Sequence, residues 1–254
     1  MTDQLTLRLD TDLPNLPEGL RPMLARPLAE PFDSAHHLFE PSWGGLRALA
    51  FVGPAETQGG GGVRIVDVEG VDRTAAFPEL AGLAVRVDAR SAILDGELVV
   101  VDAMGRADAG ELARRLDGAA GRPVAYLVFD LLHVDGRSIL SWPLSRRRET
   151  LRRILHAGDE VVAVPAIPGE GRALHDAAVG QGIAGIMARQ TAGPYLPGIR
   201  SRLWRFIAAG VSGSGSLPEE AADAAAVDLP APSSGAAPVL ALIRRLPLDD
   251  GDFG

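Results

Sequence analysis

Two apolar runs constrain this chain more than any other feature. Ile93 to Val101 and Val124 to Leu132 are dense in Val, Leu and Ile, and each spans nine residues. That length suits a strand and is too short for a typical helix. The second run is followed by Asp135-Gly136, a turn signal. Val85-Arg86-Val87 reads as a third, shorter strand. Residues 142–157 read as a helix, because Leu144, Leu151, Ile154 and Leu155 share one face. Ser141 is its candidate N-cap, Pro143 lies in its first turn, and Gly158 is its stop. Residues 173–180 read as a second, shorter helix. Strands and helices mix without a regular βαβ alternation, which predicts an α+β architecture.

The apolar fraction, 46% of 254 residues, is enough for a sizeable core. The chain has no cysteine, so disulfides and thiolate chemistry are excluded. No apolar window of membrane-spanning length occurs, and the first residues lack a signal-peptide pattern, so a cytoplasmic protein is expected. Residues 1–20 read as an arm and 21–208 as the globular domain. Residues 209–238 read as a Gly/Ser/Ala/Pro linker, and 239–254 as a short apolar segment with an acidic tip. The apolar part, Val239 to Leu248, is expected to pack on its own domain; the alternative is a docking peptide for a partner. Net charge is −8, of which residues 209–254 contribute −5 and residues 1–208 contribute −3. The basic surplus of a typical nucleic-acid binder is missing.

The chain contains no lysine: all 25 basic residues are arginine. A guanidinium stays protonated near neutral pH and offers no lone pair for attack. A G/C-rich codon usage accounts for general lysine depletion, but it would not normally remove an essential catalytic lysine.

Several segments occur in a fixed order. They are R-P-M-L-A at 21–25, F-E-P-S-W-G-G-L-R at 39–47 and V-D-V-E-G-V-D-R-T-A-A-F-P-E-L at 66–80. Then come I-L-D-G-E-L-V-V at 93–100, Y-L-V-F-D-L-L at 126–132, A-G-I-M-A-R-Q at 184–190 and R-S-R-L-W-R-F-I-A at 200–208. Together they resemble the nucleotidyltransferase (adenylation) domain of ATP-dependent DNA ligases, nearest to the ligases of bacterial end joining. The resemblance covers roughly residues 20–208. It implies antiparallel sheets flanked by helices. The family's OB-fold domain is not expected in the 46 residues after position 208.

The resemblance also implies roles. Glu40, Arg47, Glu97, Phe129 and Arg189 would form the nucleotide site, with Phe129 stacking on adenine and Glu97 on the ribose or a metal ion. ATP or AMP would be the ligand, magnesium the metal, and DNA or DNA-repair proteins the partners. The departures are specific. Ser42 stands where the family has its nucleophilic lysine, and Gly44 where it has aspartate. Val68 replaces a phosphate-contacting arginine, Ala184 the metal-site glutamate, and Phe206 and Ala208 two phosphate-gripping lysines. What remains builds the fold and the adenosine pocket; what is lost handled phosphate and metal. The expectation is therefore a ligase-like pseudoenzyme. A residual ligase acting on pre-adenylated DNA and a protein-interaction module are the alternatives. The histidines, His36, His37, His133, His156 and His175, are the other nitrogen nucleophiles to weigh. Arg146 to Arg148 are expected on a solvated helix face with ion pairs.

Overall fold

The computed structural model describes residues 16–53, 62–210 and 234–247. Its long strands are the two apolar runs. β5 (Ala92–Val100) and β6 (Val124–Val134) pair antiparallel, and every β5 residue is buried. The reason is visible in the alternation. Ile93, Val99, Leu127 and Phe129 enter one core, whereas Leu94, Leu98, Tyr126 and Val128 enter another. Successive side chains of a strand point to opposite faces, so a sheet covered on both sides needs apolar residues at both parities.

β5 and β6 belong to a sheet ordered β4-β3-β5-β6-β7, with β8 added on β6. Its other strands are β3 (Leu46–Val52), β4 (Val63–Asp67), β7 (Arg137–Ser138) and β8 (Val161–Ala163). β8 runs parallel to β6. The predicted Asp135-Gly136 turn joins β6 to β7, with positive φ at both residues. A second sheet is ordered β1-β11-β10-β2-β9. It comprises β1 (Leu24–Pro27), β2 (Ser34–Ser42), β9 (Ile167–Gly169), β10 (Gly185–Gln190) and β11 (Arg200–Ala208). One core joins the two sheets, with Phe39, Ile186, Trp204 and Ile207 from the second meeting Leu49, Ile93 and Phe129 from the first. The other core lies beneath α2 (Leu144–Ile154) and the 3-10 turns at 74–85. The mixed α+β architecture is as expected from sequence.

Four helices complete the described chain: α1 (Ala109–Leu116), α2, α3 (Gly171–Gln181) and α4 (Ala236–Ile243). α2 and α3 coincide with the two predicted helices. Ser141 does not cap α2; Pro143 is the N-cap residue and no side chain bonds there. Val85-Arg86-Val87 is not a strand. Pro78–Val85 forms a 3-10 helix that buries Leu80 and Leu83, three residues apart, and leaves Val85 exposed. Pro78 at the first position fixes a helical φ, and the three-residue spacing matches the three-fold turn.

Of the expected N-terminal arm, residues 1–15 lie outside the described residues, while Leu16 and Leu20 pack against the core. Of the expected linker, residues 211–233 lie outside them too, and 236–238 belong to α4. α4 packs on the domain and buries Val239, Leu242 and Ile243. No helix among the described residues is long and apolar enough to cross a membrane.

Candidate functional site

The residues singled out from sequence converge where the two sheets meet. Glu40 comes from β2, Arg189 from β10 and Trp204 from β11. Arg47 comes from β3, Asp95 and Glu97 from β5, and Phe129 and Asp130 from β6. Arg189 and Trp204 are direct partners across β10 and β11, and Arg47 and Glu97 across β3 and β5. Antiparallel pairing thus sets the site before any side chain is oriented.

Its core is a network of ion pairs, buried except for a half-buried Arg47. Arg47 donates from Nε and Nη2 to the two carboxylate oxygens of Asp95, at 2.6 and 2.5 Å. Burial opposes the Arg47 charge, but the adjacent Asp95 outweighs it and holds the proton more firmly than usual. Tyr195 donates to Asp95 at 2.7 Å and accepts from the Met23 amide at 2.8 Å, which ties the 21–25 segment to the network. Glu40 receives Arg189 Nε at 2.9 Å and, on its other oxygen, Arg148 Nη1. Arg147 grips both oxygens of Asp130, at 2.8 and 2.7 Å. Glu97 accepts backbone N–H groups from Trp43 and Gly45. Burial pushes the Glu97 carboxyl above its ordinary range, against the opposing pull of those two amides and the nearby arginines.

Four guanidinium groups therefore face four carboxyl groups. This corrects the expected solvated arginine cluster. Arg147 and Arg148 are buried, and only Arg146 of the three stays exposed, stacked 3.7 Å from the Trp142 ring. The signal was present in the spacing: positions 144, 147, 148 and 151 share one helical face. Asp130 and Tyr195 were also missed, since their partners lie 17 and 100 residues away in sequence.

Ser42, Gly44, Ala184 and Ala208 gather elsewhere, at one end of the second sheet, whereas Val68 follows β4 of the first. Ser42 closes β2 opposite Gly185, which lies opposite Ala208 on its other side. A Cβ on Gly44 would lie 3.1 Å from that of Ala184. Gly45 permits the loop to lie on β5, where any side chain would collide with the Leu98 carbonyl. The patch offers a half-buried serine hydroxyl, with the Glu97 carboxylate on the amides either side of Gly44 and the His175 ring bonded to the Ala208 carbonyl at 2.9 Å. His36 and His37 sit five or six residues back along β2, about 17–20 Å away, and the His37 ring packs on Phe32.

The ligands that the resemblance implies can be tested against these atoms. Among the described residues no group of three or more His, Cys, Asp or Glu could hold a metal ion. Both Glu97 oxygens are taken by backbone amides. The described residues thus supply no preformed carboxylate cluster for magnesium. Phe129 is buried, with the Arg189 guanidinium 3.9 Å and that of Arg47 4.4 Å from its ring centroid. An adenine stacked on Phe129 would meet those groups. The residues present do not fit a bound adenine nucleotide.

Comparison with known proteins places this arrangement. The ATP dependent DNA ligase domain matches residues 22–206. The multifunctional non-homologous end joining DNA repair protein LigD of Mycobacterium tuberculosis is 31% identical over 189 residues, 74% of this chain and 24% of that protein. DNA ligase C1 of Mycolicibacterium smegmatis is 33% identical over 207 residues, 74% of this chain and 56% of that protein. The solved structure of mycobacterial DNA ligase D complexed with ATP and MES superposes with a TM-score of 0.63 at 28% identity, covering 74% of this chain and 60% of that one. The chain thus spans between a quarter and just over half the length of these curated relatives. It belongs to the ATP-dependent DNA ligase domain family.

Proposed function

We propose that this chain is a ligase-fold protein of DNA end joining that lacks intrinsic ligase activity and acts as a scaffold, with DNA or DNA-repair proteins as partners in the cytoplasm. One observation carries the reading. Ser42 is at the position that the resemblance gives to the family's lysine, and its neighbours Gly44, Gly185 and Ala208 carry no charged side chain. A serine hydroxyl is a weak nucleophile, and the residues at positions 42, 44, 184, 206 and 208 carry no charge that would stabilise a transferring phosphoryl group. The end-joining context follows from the relatives' names; the missing chemistry follows from these residues. Incubation with labelled ATP and magnesium, read by intact mass, gives no AMP adduct on this reading, and a stable adduct overturns it. Nicked DNA carrying a pre-adenylated end tests the residual activity, and a sealed product would restore the chain to the enzymes. The docking-peptide alternative loses support from α4, whose apolar side chains are turned into the domain's own core.

A further inference from the structure

Arg189 lies in a corner made by two aromatic rings. Its guanidinium carbon is 3.9 Å from the Phe129 centroid and 4.0 Å from that of Trp204, and the rings meet edge to face. Glu40 fixes the group through Nε at 2.9 Å. Two aromatic faces and one carboxylate are the components that recognise a planar cation: the rings attract it through their quadrupoles, and the carboxylate supplies a directed hydrogen bond. Arg189 is 1% exposed, so this recognition is entirely internal. One part of the group is left over. Nη1 is buried and has no hydrogen-bond partner among the described residues, the only such side-chain atom among them. An arginine chosen only to neutralise Glu40 would not need this corner, because Arg148 already pairs with the same carboxylate.

We infer that the Phe129–Trp204–Glu40 corner is a guanidinium-binding site that the chain fills from within, with Arg189 as its resident ligand. Two consequences follow. The corner is closed to planar heteroaromatic ligands, so the wild-type domain does not take up adenine nucleotides. Removing the Arg189 side chain turns the corner into a site for small free guanidinium compounds. Arg47 remains as one wall, held in place by its two bonds to Asp95. The inference is separate from the absence of ligase chemistry, since a domain can bind ATP without reacting with it.

The experiment uses the full chain as wild type, R189A and R189M. Methylguanidinium is the probe for the variants and ATP for the wild type. On this inference methylguanidinium stabilises R189A, raising its melting temperature by roughly 3–6 °C at ten times its Kd. It leaves R189M, whose side chain refills the corner, and wild type unmoved. Calorimetry of wild type with ATP shows no heat of binding. A folded R189A with no response, or an equal response in R189M, overturns the inference. So does ATP binding to wild type. If R189A does not fold, NMR of the wild-type Arg189 Nε–H decides. A slowly exchanging, ring-current-shifted signal that ATP leaves unchanged supports a resident guanidinium. A signal at the ordinary solvent-exposed arginine position refutes it. The labelled-ATP adduct assay reads covalent chemistry alone, so failure of either reading is seen separately.

Discussion

Arg147 and Asp130 are both fully buried and joined by two hydrogen bonds. The remaining Arg147 donor, Nη1, reaches the carbonyls of Trp142 and Gly193. Removing one partner of such a pair leaves an uncompensated charge in the interior. R147A is therefore expected to lose about 3–5 kcal/mol of stability in urea denaturation, whereas D130L/R147M loses less despite deleting more. A second residue-scale expectation concerns acid. Burial alone would raise the Asp67 carboxyl. The side-chain bond from Arg73 and the backbone amides of Val71 and Glu69 outweigh that and hold it below the ordinary range. An acid depressed in the folded state contributes stability above its unfolded pKa, about 3.9, and that contribution is lost as pH falls through the folded value. The stability gap between wild type and D67N should accordingly be open at pH 6 and shrink below about pH 4, as read by unfolding at each pH. Neither pair was legible as a pair in the sequence. Helical spacing puts Arg147 on the face of Leu144 and Leu151, yet a solvated arginine was expected there, and its partner is set by the approach of β6 to α2.

Among the elements, α4 lies beyond the residues that match the family and yet is part of the core. It packs on β6 and β8 and meets the turn at 102–106. Gly105 has φ +82, and a Cβ there would collide with the Pro238 carbonyl and lie 2.9 Å from Leu242 Cβ. The same glycine's carbonyl accepts the Trp43 indole N–H at 2.9 Å. G105A should therefore undock α4. In hydrogen exchange, the α4 amides lose protection while those of β5 and β6 keep it, because local opening need not involve the whole fold. L242A, which keeps the helix but empties its buried contact, is expected to cost about 2–5 kcal/mol in the same denaturation measurement. Elements were legible in the sequence where a period was sustained. Leu144 to Leu155 and the two nine-residue runs each repeat their pattern for long enough to identify the element. The exception is Val85-Arg86-Val87, where three residues of strand-like alternation overlap the end of a proline-initiated 3-10 helix whose buried residues, Leu80 and Leu83, lie three apart. Three residues cannot separate those periods.

Across the whole molecule, the network of ion pairs joins sheets that share one core, and Glu40 carries two of its links, to Arg148 and Arg189. The motif order in the sequence was enough to place Glu40, Arg47, Glu97, Phe129 and Arg189 together. It did not reveal that their side chains satisfy one another, because that depends on β2, β3, β5, β6 and β10 meeting in three dimensions. This bears on whether one substitution could return chemistry to the fold. S42K puts a lysine at the position that the resemblance gives to the nucleophile. It leaves Gly44, Val68, Ala184, Phe206 and Ala208 uncharged, and it leaves Arg189 on Phe129. Each missing group that stabilises developing charge costs about 3–4 kcal/mol of barrier, or 100- to 1,000-fold in rate. Several absent together put the reaction far below detection. On the inference above, the lysine would also lack a bound triphosphate, since Arg189 and Arg47 cover the Phe129 ring. S42K is expected to give no AMP adduct by intact mass after prolonged incubation with ATP and magnesium. An adduct on S42K would mean that Ser42 alone separates this chain from catalysis, and that the guanidinium groups on Phe129 yield to the nucleotide.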